Sequence, residues 1–139
     1  MKSKFEHPNQ SPGFLLWKLT MEWQRQIRQV LSPMGLTHVQ FVYLACLSWL
    51  SSQGEKHITQ GQLATFATLD KMVVSETTKK LLEKNLIERD EHQHDSRAYC
   101  IVITANAKRL VNKALPLVEA VDAQFFDRNA PMVKSLIKR

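Results

Sequence analysis

The chain has 139 residues, of which 44% are hydrophobic and 23% are charged, so we expect one globular domain that is large enough to bury a core. The 19 Lys and Arg outnumber the 13 Asp and Glu, and the formal net charge of +6 favours a polyanionic partner. The first ten residues, MKSKFEHPNQ, lack the apolar core of a signal peptide, so we expect a cytoplasmic location. We also expect no membrane span, because charged residues are expected to interrupt every stretch of about twenty residues.

A first helix is predicted over residues 11–32, after an N-terminal stretch, residues 1–10, that we expect to be a loose arm. Ser11 followed by Pro12 is typical of a helix start, and a Ser-Pro-Met-Gly run ends it. Apolar residues recur along the helix in a wide stripe, which comprises Leu16, Leu19, Thr20, Trp23, Ile27, Val30 and Leu31. We expect part of this stripe to pack on a second subunit, with an all-intramolecular core as the alternative.

A second helix is predicted from Thr37 to about Ser51. Thr37 and Gln40 have the spacing of a capping box, in which each side chain bonds the backbone of the other residue. The helix is apolar on most sides, which is typical of a buried helix. We therefore expect it to be the central scaffold of the domain.

Two short helices follow with a minimal link between them. Thr59 and Gln62 form another capping box at the start of the first. The second covers Asp70–Asn85, with Asp70 as N-cap and Asn85 in the left-handed position after the last turn. Its inward residues are Val74, Thr78 and Leu81, and its outward residues are Lys71, Val73, Ser75, Glu76, Lys79 and Lys80. This pattern indicates a helix-turn-helix, with an ordinary helical hairpin as the alternative.

Two β-prone segments, residues 86–90 and 98–103, flank a polar stretch that has no periodicity, which predicts a hairpin. A hairpin directly after a helix-turn-helix is a wing. Thr104 then caps a long helix over about residues 105–126, in which Pro116 is expected to cause a bend, and a short helix begins near Asn129. These terminal helices have more apolar face than so small a domain can cover, which favours a homodimer.

The order of these elements resembles the MarR-type winged-helix transcription regulators. The matching residues are LATFATLDKMVVSETTKKLLEKNLIERD, the wing-tip pattern Asp95-x-Arg97, and Val102-Ile103-Thr104 before the long helix. The chain departs from the family pattern at Asn85 and Ala107, where Gly is usual, and at Glu76, where a basic residue is common. The resemblance implies a mostly α (α+β) single domain, residues 1–139, with dimerisation helices at 11–32 and 105–139 around a winged helix-turn-helix at 37–103.

The outward face of the second short helix supplies the expected contacts to double-stranded DNA. The residues expected nearest the base edges are Lys71, Val73, Ser75 and Glu76. The residues expected at phosphates are Thr59, Gln60, Lys79 and Lys80. Arg97 is expected to enter the minor groove, oriented by Asp95. For the lysines, the alternative is an ordinary solvated face.

The resemblance also implies a small lipophilic or aromatic-acid effector, bound between the dimerisation helices and the winged helix. The candidate lining residues are Trp17, Trp23, Met34, His38, Phe41 and Trp49. Aromatic residues at helical spacing are more often simply core, and this is the alternative for the whole set. We expect no metal, no other cofactor and no catalytic residues.

Several other roles compete with this interpretation. Cys46 or Cys100 would have to be exposed in a positive environment to sense oxidants, and His92 and His94 with Asp95 would have to be ordered to bind zinc. A winged helix can also serve as a protein-interaction module without an operator. An enzyme is disfavoured, because the sequence has no glycine-rich phosphate loop, nucleophile elbow or paired carboxylate motif. The sequence thus favours a homodimeric repressor that binds a palindromic operator and is released by a small molecule.

Overall fold

A computed structural model describes residues 1–55, 57–90 and 100–138. Its helices are α1 (Pro12–Leu31), α2 (His38–Ser52), α3 (Gln60–Ala67), α4 (Lys71–Glu83), α5 (Ala105–Arg128) and α6 (Ala130–Ile137). Two strands, β1 (Ile87–Asp90) and β2 (Cys100–Ile103), lie between α4 and α5. Single turns of 3-10 helix occur at Pro8–Gln10 and Ser32–Met34. The chain is therefore mostly helical with one small sheet, as expected.

The predicted starts of α1 to α5 are confirmed, because in each of these helices a polar side chain accepts a hydrogen bond from an amide of the first turn. Both predicted capping boxes form, with Thr37 accepting from the amide of Gln40 and Thr59 accepting from that of Gln62. The caps of α1, α4 and α5 are Ser11, Asp70 and Thr104, and each accepts a backbone hydrogen bond. These local bonds explain why the element boundaries follow from short sequence patterns.

The expectation of a loose arm is wrong for residues 7–10. His7 Nδ1 accepts from the amide of Asn9 at 3.0 Å, and the Gln10 side chain accepts from the His7 amide at 3.3 Å. Lys18 of α1 then donates to the Asn9 side chain at 3.1 Å. A capping box and one contact with α1 thus order this turn, which sequence periodicity does not reveal.

Helix α4 ends as predicted, because Asn85 has φ 58°, in the left-handed region that Asn tolerates. The buried Leu86 follows, and its amide donates to the carbonyl of Leu81 at 3.0 Å. This bond turns the chain back from the end of α4 into β1. The second left-handed position outside glycine is Thr68 with φ 54°, in the link between α3 and α4.

Strands β1 and β2 form an antiparallel pair whose register matches Ile87 with Ile103 and Asp90 with Cys100. An isolated bridge joins Thr59 to Cys100, and the Ile101 amide donates to the Ile58 carbonyl at 2.8 Å. Residues 98–99 of the predicted second strand lie outside the described residues. The sheet is thereby tied to the start of α3.

The scaffold role of α2 is confirmed, since Tyr43, Leu44 and Leu47 are fully buried. The helix packs against α1, α3, α4, α5 and β2. One departure is Trp49, which is 51% exposed although it lies in this apolar helix. Helix α2 therefore connects the terminal helices to the helix-turn-helix.

Residues 29–54 contain no Asp, Glu, Lys or Arg. The expectation that charged residues interrupt every stretch of about twenty residues is therefore wrong for this part of the chain. Among the described residues, no single helix combines the length and the apolar content needed to cross a membrane. Pro12–Met34 and His38–Ser52 reach that content only as a pair, and the pair is bent by 77°.

The terminal helices leave large apolar side chains in solvent. Helices α1, α5 and α6 line a cavity of about 260 Å³, with Leu16, Leu19, Thr20, Trp23, Phe125, Phe126, Val133 and Leu136 around it. Leu16 is 56% exposed and Phe126 is 47% exposed. We call these eight residues the apolar groove. Its exposure agrees with the expectation that these helices carry more apolar face than one chain covers.

Candidate nucleic-acid interface

Helix α4 is held to the domain by its inner face. Val74, Thr77, Thr78 and Leu81 are buried there. The Thr78 hydroxyl donates to the Val74 carbonyl at 2.7 Å and lies 2.8 Å from the Tyr43 hydroxyl of α2. A buried polar pair that is fully hydrogen-bonded fixes the rotation of a helix as well as its position. The opposite face of α4 is therefore presented in one orientation.

That opposite face is polar, basic and exposed. At about 100° per residue, Met72, Glu76 and Lys79 lie opposite the buried stripe. Ser75 and Lys80 flank them and are exposed, as sequence reasoning expected. Lys71 is also exposed, but this spacing places it next to Thr78, at the edge of the buried stripe. Val73 is half-buried at the edge of this surface, and its carbonyl accepts from Thr77 at 2.6 Å.

Met72 is the outward residue that sequence reasoning missed. Its side chain is 72% exposed at the first turn of α4, next to the base-reading positions proposed for Lys71 and Ser75. The spacing of residues 72, 76 and 79 was the available signal, because it marks one helical face. An exposed apolar side chain in this place is suited to contact a thymine methyl group, and it is better placed for this than the half-buried Val73.

Helix α3 meets α4 through a tight link. Thr68 adopts the left-handed conformation, and the Leu69 amide donates to the Ala64 carbonyl at 2.9 Å. Thr59 and Gln60 lie at the amino end of α3 and are half-buried. The Thr59 hydroxyl already accepts from the Gln62 amide at 3.2 Å, so a phosphate contact by this side chain would use its hydroxyl proton.

The predicted wing-tip residues lie outside the described residues. These are Asp95 and Arg97, together with the zinc candidates His92 and His94. Their roles stay predictions. In the sequence, residues 91–99 lie between β1 and β2.

The six effector candidates are divided between different surroundings. Trp23 and His38 are in edge contact, with ring centroids 5.0 Å apart, and Trp23 Nε1 donates to Asp122 of α5 at 2.7 Å. Phe41 is buried in the core, and Met34 is partly buried against the same core. Trp17 is 59% exposed on α1. The junction of α1, α2 and α5 thus joins Trp23 and His38 to an acid that sequence reasoning missed.

Trp49 belongs to a different surface. It stacks on Phe66 of α3 with centroids 5.3 Å apart and 13° between the ring planes. This contact places Trp49 against the first helix of the helix-turn-helix, whereas Trp23 contacts α5. The structure therefore does not bring the six residues together around a single group of contacts.

Burial at this junction lowers the pKa of His38, and the neighbouring Asp122 carboxylate opposes part of that shift. Since the ordinary imidazole pKa is about 6.5, His38 is neutral at pH 7. A neutral imidazole beside an indole and a carboxylate can donate one hydrogen bond and accept another.

The lowered pKa of His38 predicts a pH-dependent stability. Below about pH 6.5 the unfolded chain binds a proton at this imidazole more readily than the folded chain does. The free energy of unfolding is therefore expected to fall as the pH drops from about 6.5 through the pKa of His38 in the folded chain. Above about pH 6.5, His38 makes no contribution to this pH dependence. Urea unfolding at a series of pH values measures this fall.

In the His38→Asn variant this part of the pH dependence should be missing, whereas the same change at the exposed His57 should leave it in place. An identical pH dependence in the wild type and in His38→Asn would contradict the assignment.

Both thiols are in surroundings that suppress their reactivity. Burial raises the pKa of Cys46, and it also raises the pKa of the buried Cys100, where the Asp90 carboxylate adds to the effect. Both thiols are therefore protonated near neutral pH, whereas the reactive form of cysteine is the thiolate. This disfavours the oxidant-sensing alternative.

No group of three or more His, Cys, Asp or Glu suited to hold a metal occurs within residues 1–55, 57–90 and 100–138. The zinc alternative depends on residues outside these ranges.

Two helices joined by a tight link, the second with an exposed basic face, and a following antiparallel hairpin define a winged helix-turn-helix of the DNA-binding class. A model of the MarR family matches residues 36–99. The chain is 43% identical to the HTH-type transcriptional regulator YdcH of Bacillus subtilis, over 89% of this chain and 84% of the relative. The chain belongs to the MarR family of transcription regulators, which confirms the resemblance.

Further comparisons agree with this family. The HTH-type transcriptional repressor Rv2887 of Mycobacterium tuberculosis is 28% identical over 84% of this chain and 80% of that protein. A mutant MarR of E. coli complexed with operator DNA has a TM-score of 0.74 and 19% identity, covering 91% of this chain and 90% of that one. BpsR of Bordetella bronchiseptica, whose DNA binding is regulated by 6-hydroxynicotinic acid, has a TM-score of 0.77 and 19% identity, with 96% of each chain covered. These two structures share the fold.

Proposed function

We propose that this protein is a cytoplasmic transcriptional repressor without enzymatic activity, which binds a palindromic operator in double-stranded DNA as a homodimer. The observation that carries the proposal is the contrast between the two faces of α4. Four buried residues hold the inner face, while Ser75, Lys79 and Lys80 project from the outer face into solvent. A rigid helix with an exposed basic surface is suited to enter a major groove.

Dimerisation would use the apolar groove formed by α1, α5 and α6. Exposed apolar patches of this kind mark interaction surfaces, and a two-fold dimer places the same patch against itself. Such a dimer presents two copies of α4. When these are about 34–36 Å apart, both enter successive major grooves on one face of the duplex.

The contacts within each half-site divide by chemistry. Ser75 and Glu76 offer groups that pair with base edges, and Met72 offers an apolar contact. Lys79 and Lys80 are proposed at phosphates, together with Thr59 and Gln60 at the amino end of α3. Arg97 is proposed in the minor groove, with Asp95 orienting it.

An aromatic or lipophilic acid is the proposed effector, and the junction of Trp23, His38 and Asp122 supports it. A compound held there would touch both a dimerisation helix and the scaffold helix α2, so it can favour one relative arrangement of the two. Its effect on DNA binding is limited to its difference in affinity between the two arrangements. BpsR, which responds to 6-hydroxynicotinic acid, offers a first compound to test.

A redox- or zinc-responsive regulator of the same fold is the alternative, and a protein-interaction module without an operator is a third. The raised thiol pKa values count against the first of these. The lysines on the outer face of α4 favour DNA over the interaction module, because DNA presents a regular array of phosphates that lysines neutralise.

The decisive experiment is selection of duplexes from random-sequence DNA by the purified protein at two salt concentrations. We expect enrichment of a palindrome with half-sites about one helical turn apart. Binding that is weak, strongly salt-dependent and without enrichment would mean that the net positive charge acts only generically. That result would favour the interaction module.

Met72 is expected to contact a thymine methyl group in the selected operator. Replacing each thymine of a half-site with deoxyuridine removes only the methyl group, and at the contacted position wild-type affinity should fall about three- to tenfold, because each such contact is worth about 1 kcal/mol. The Met72→Ala variant should bind both duplexes with equal affinity. Met132→Ala, which also removes an exposed methionine, should keep the wild-type discrimination. Discrimination that survives in Met72→Ala would assign the methyl contact to another residue, with Val73 as the next candidate.

A further inference from the structure

Lys84, at the carboxyl end of α4, makes a contact that neither DNA binding nor the core accounts for. It is the C-cap residue of the helix. Its ammonium group donates to the Gly35 carbonyl at 2.7 Å and to Gln40 Oε1 at 2.9 Å. These partners lie 49 and 44 residues away in sequence. One side chain therefore connects α4, the proposed recognition helix, to the connection between α1 and α2.

That connection is itself held by short-range hydrogen bonds. Gly35 has φ 73°, and its amide donates to the Ser32 carbonyl at 3.0 Å. The Leu36 amide donates back to Leu31, the last residue of α1, at 3.3 Å. The left-handed conformation at Gly35 suits glycine and strains other residues. The Gly35 carbonyl thus has a defined position relative to the end of α1.

The second partner fixes the start of α2. Gln40 is only 5% exposed, and its Oε1 atom also accepts from the Thr37 amide at 3.2 Å in the capping box. Lys84 therefore contacts, through two acceptors, both the end of the dimerisation helix α1 and the first turn of the scaffold helix α2. Hydrogen bonds from a charged donor are shorter and stronger than neutral ones.

We propose that Lys84 is a positioning residue for DNA binding, which holds the carboxyl end of α4 to the α1–α2 junction and so sets the orientation of each recognition helix within the dimer. The inference rests on the proposed binding of an operator by a dimer. When α1 moves relative to α2, the distance between the Gly35 carbonyl and Gln40 Oε1 changes. Because Lys84 is bonded to both acceptors, the carboxyl end of α4 moves with them. Lys84 thus adds a second contact to that of the inner face, and the spacing between the two recognition helices depends on both.

Lys84 differs from the DNA-facing lysines in what its loss should do. Lys79 and Lys80 are proposed at phosphates, so their removal weakens binding to every duplex alike. Loss of Lys84 leaves the inner face of α4 and the Thr78–Tyr43 pair unchanged, so each α4 can still read one half-site. The variant loses the simultaneous docking of both helices, and with it the gain in affinity that two linked contacts supply.

The test compares Lys84→Met, which keeps the apolar stem and removes the donors, with Lys84→Arg, which keeps a charged donor. Lys113→Met, at an exposed position of α5, controls for the loss of one positive charge. Each protein is titrated with the selected operator, with a duplex in which one half-site is scrambled, and with operators whose half-site spacing is changed by one base pair.

For Lys84→Met we expect affinity for the full operator to fall about tenfold or more, while affinity for the single half-site changes less than about twofold. The wild-type preference for one spacing should flatten. Lys84→Arg should restore most of that preference, and Lys113→Met should match the wild type. The urea midpoint of Lys84→Met should stay close to that of the wild type, since Gln40 keeps its bond from Thr37.

Equal losses on the full and single half-site duplexes would overturn the positioning role and assign Lys84 to phosphate contact or to the fold. An unchanged spacing preference in Lys84→Met would overturn it as well. If the wild-type protein selects no operator at all, the proposed function fails and this inference fails with it, and that outcome is distinct from the other two.

Discussion

Leu16→Asp is expected to convert the protein to a monomer and to weaken operator binding by about a hundredfold or more, because the second half-site contact is no longer intramolecular. Leu16 lines the apolar groove and is 56% exposed in the single chain. A carboxylate at this position is hydrated in the monomer, so the chain still folds. In the dimer the same carboxylate would be buried without a partner, which is strongly unfavourable.

Sedimentation equilibrium measures the oligomeric state, and titration with the full operator measures the affinity. Leu16→Met keeps an apolar side chain of similar volume and should behave as the wild type. Asn112→Asp adds the same negative charge at an exposed position of α5 and should remain dimeric. A dimer of undiminished affinity in Leu16→Asp would show that subunits associate through a different surface.

Leu81→Ala is expected to lower the free energy of unfolding by about 2–5 kcal/mol, the usual cost when a buried leucine leaves a cavity. Leu81 is fully buried on the inner face of α4, beside Val74. The free energy of unfolding of a typical domain is about 5–15 kcal/mol, so this loss is a large part of the total stability. Helix α4 depends on this face for its position.

Urea unfolding at one fixed protein concentration measures the change, because dimerisation adds to the apparent stability. Leu82→Ala removes the same atoms from the neighbouring half-buried position and should cost less. Equal losses at the two positions would mean that α4 does not pack through the stripe containing Leu81.

The elements that the sequence predicted well are those whose causes are local. The capping boxes at Thr37 and Thr59 and the caps at Asp70 and Thr104 each involve residues within a few positions of one another. The same holds for the left-handed Asn85. Helical spacing likewise separated the buried and exposed faces of α4. Short-range hydrogen bonds and periodicity thus established the element order, and with it the winged helix-turn-helix.

The candidate site was predicted less completely. Sequence reasoning named Lys71, Ser75, Glu76, Lys79 and Lys80 on the exposed face, yet it passed over Met72, because an isolated methionine in a helix is usually assigned to a core. The effector candidates were chosen by residue type. Residue type does not report orientation, and Trp49 turns towards Phe66 while Trp23 turns towards Asp122.

By itself, the sequence of this protein determined the helices, their ends and the outward face of α4, since these depend on residues that are neighbours in the chain. Only the tertiary structure decided the pairing of Trp23 with Asp122, 99 residues apart, and of Lys84 with Gly35, 49 residues apart. Such contacts have no periodic signature, because each depends on how whole helices pack. The contacts that join α1 to α5, and α4 to the connection between α1 and α2, are of this second kind.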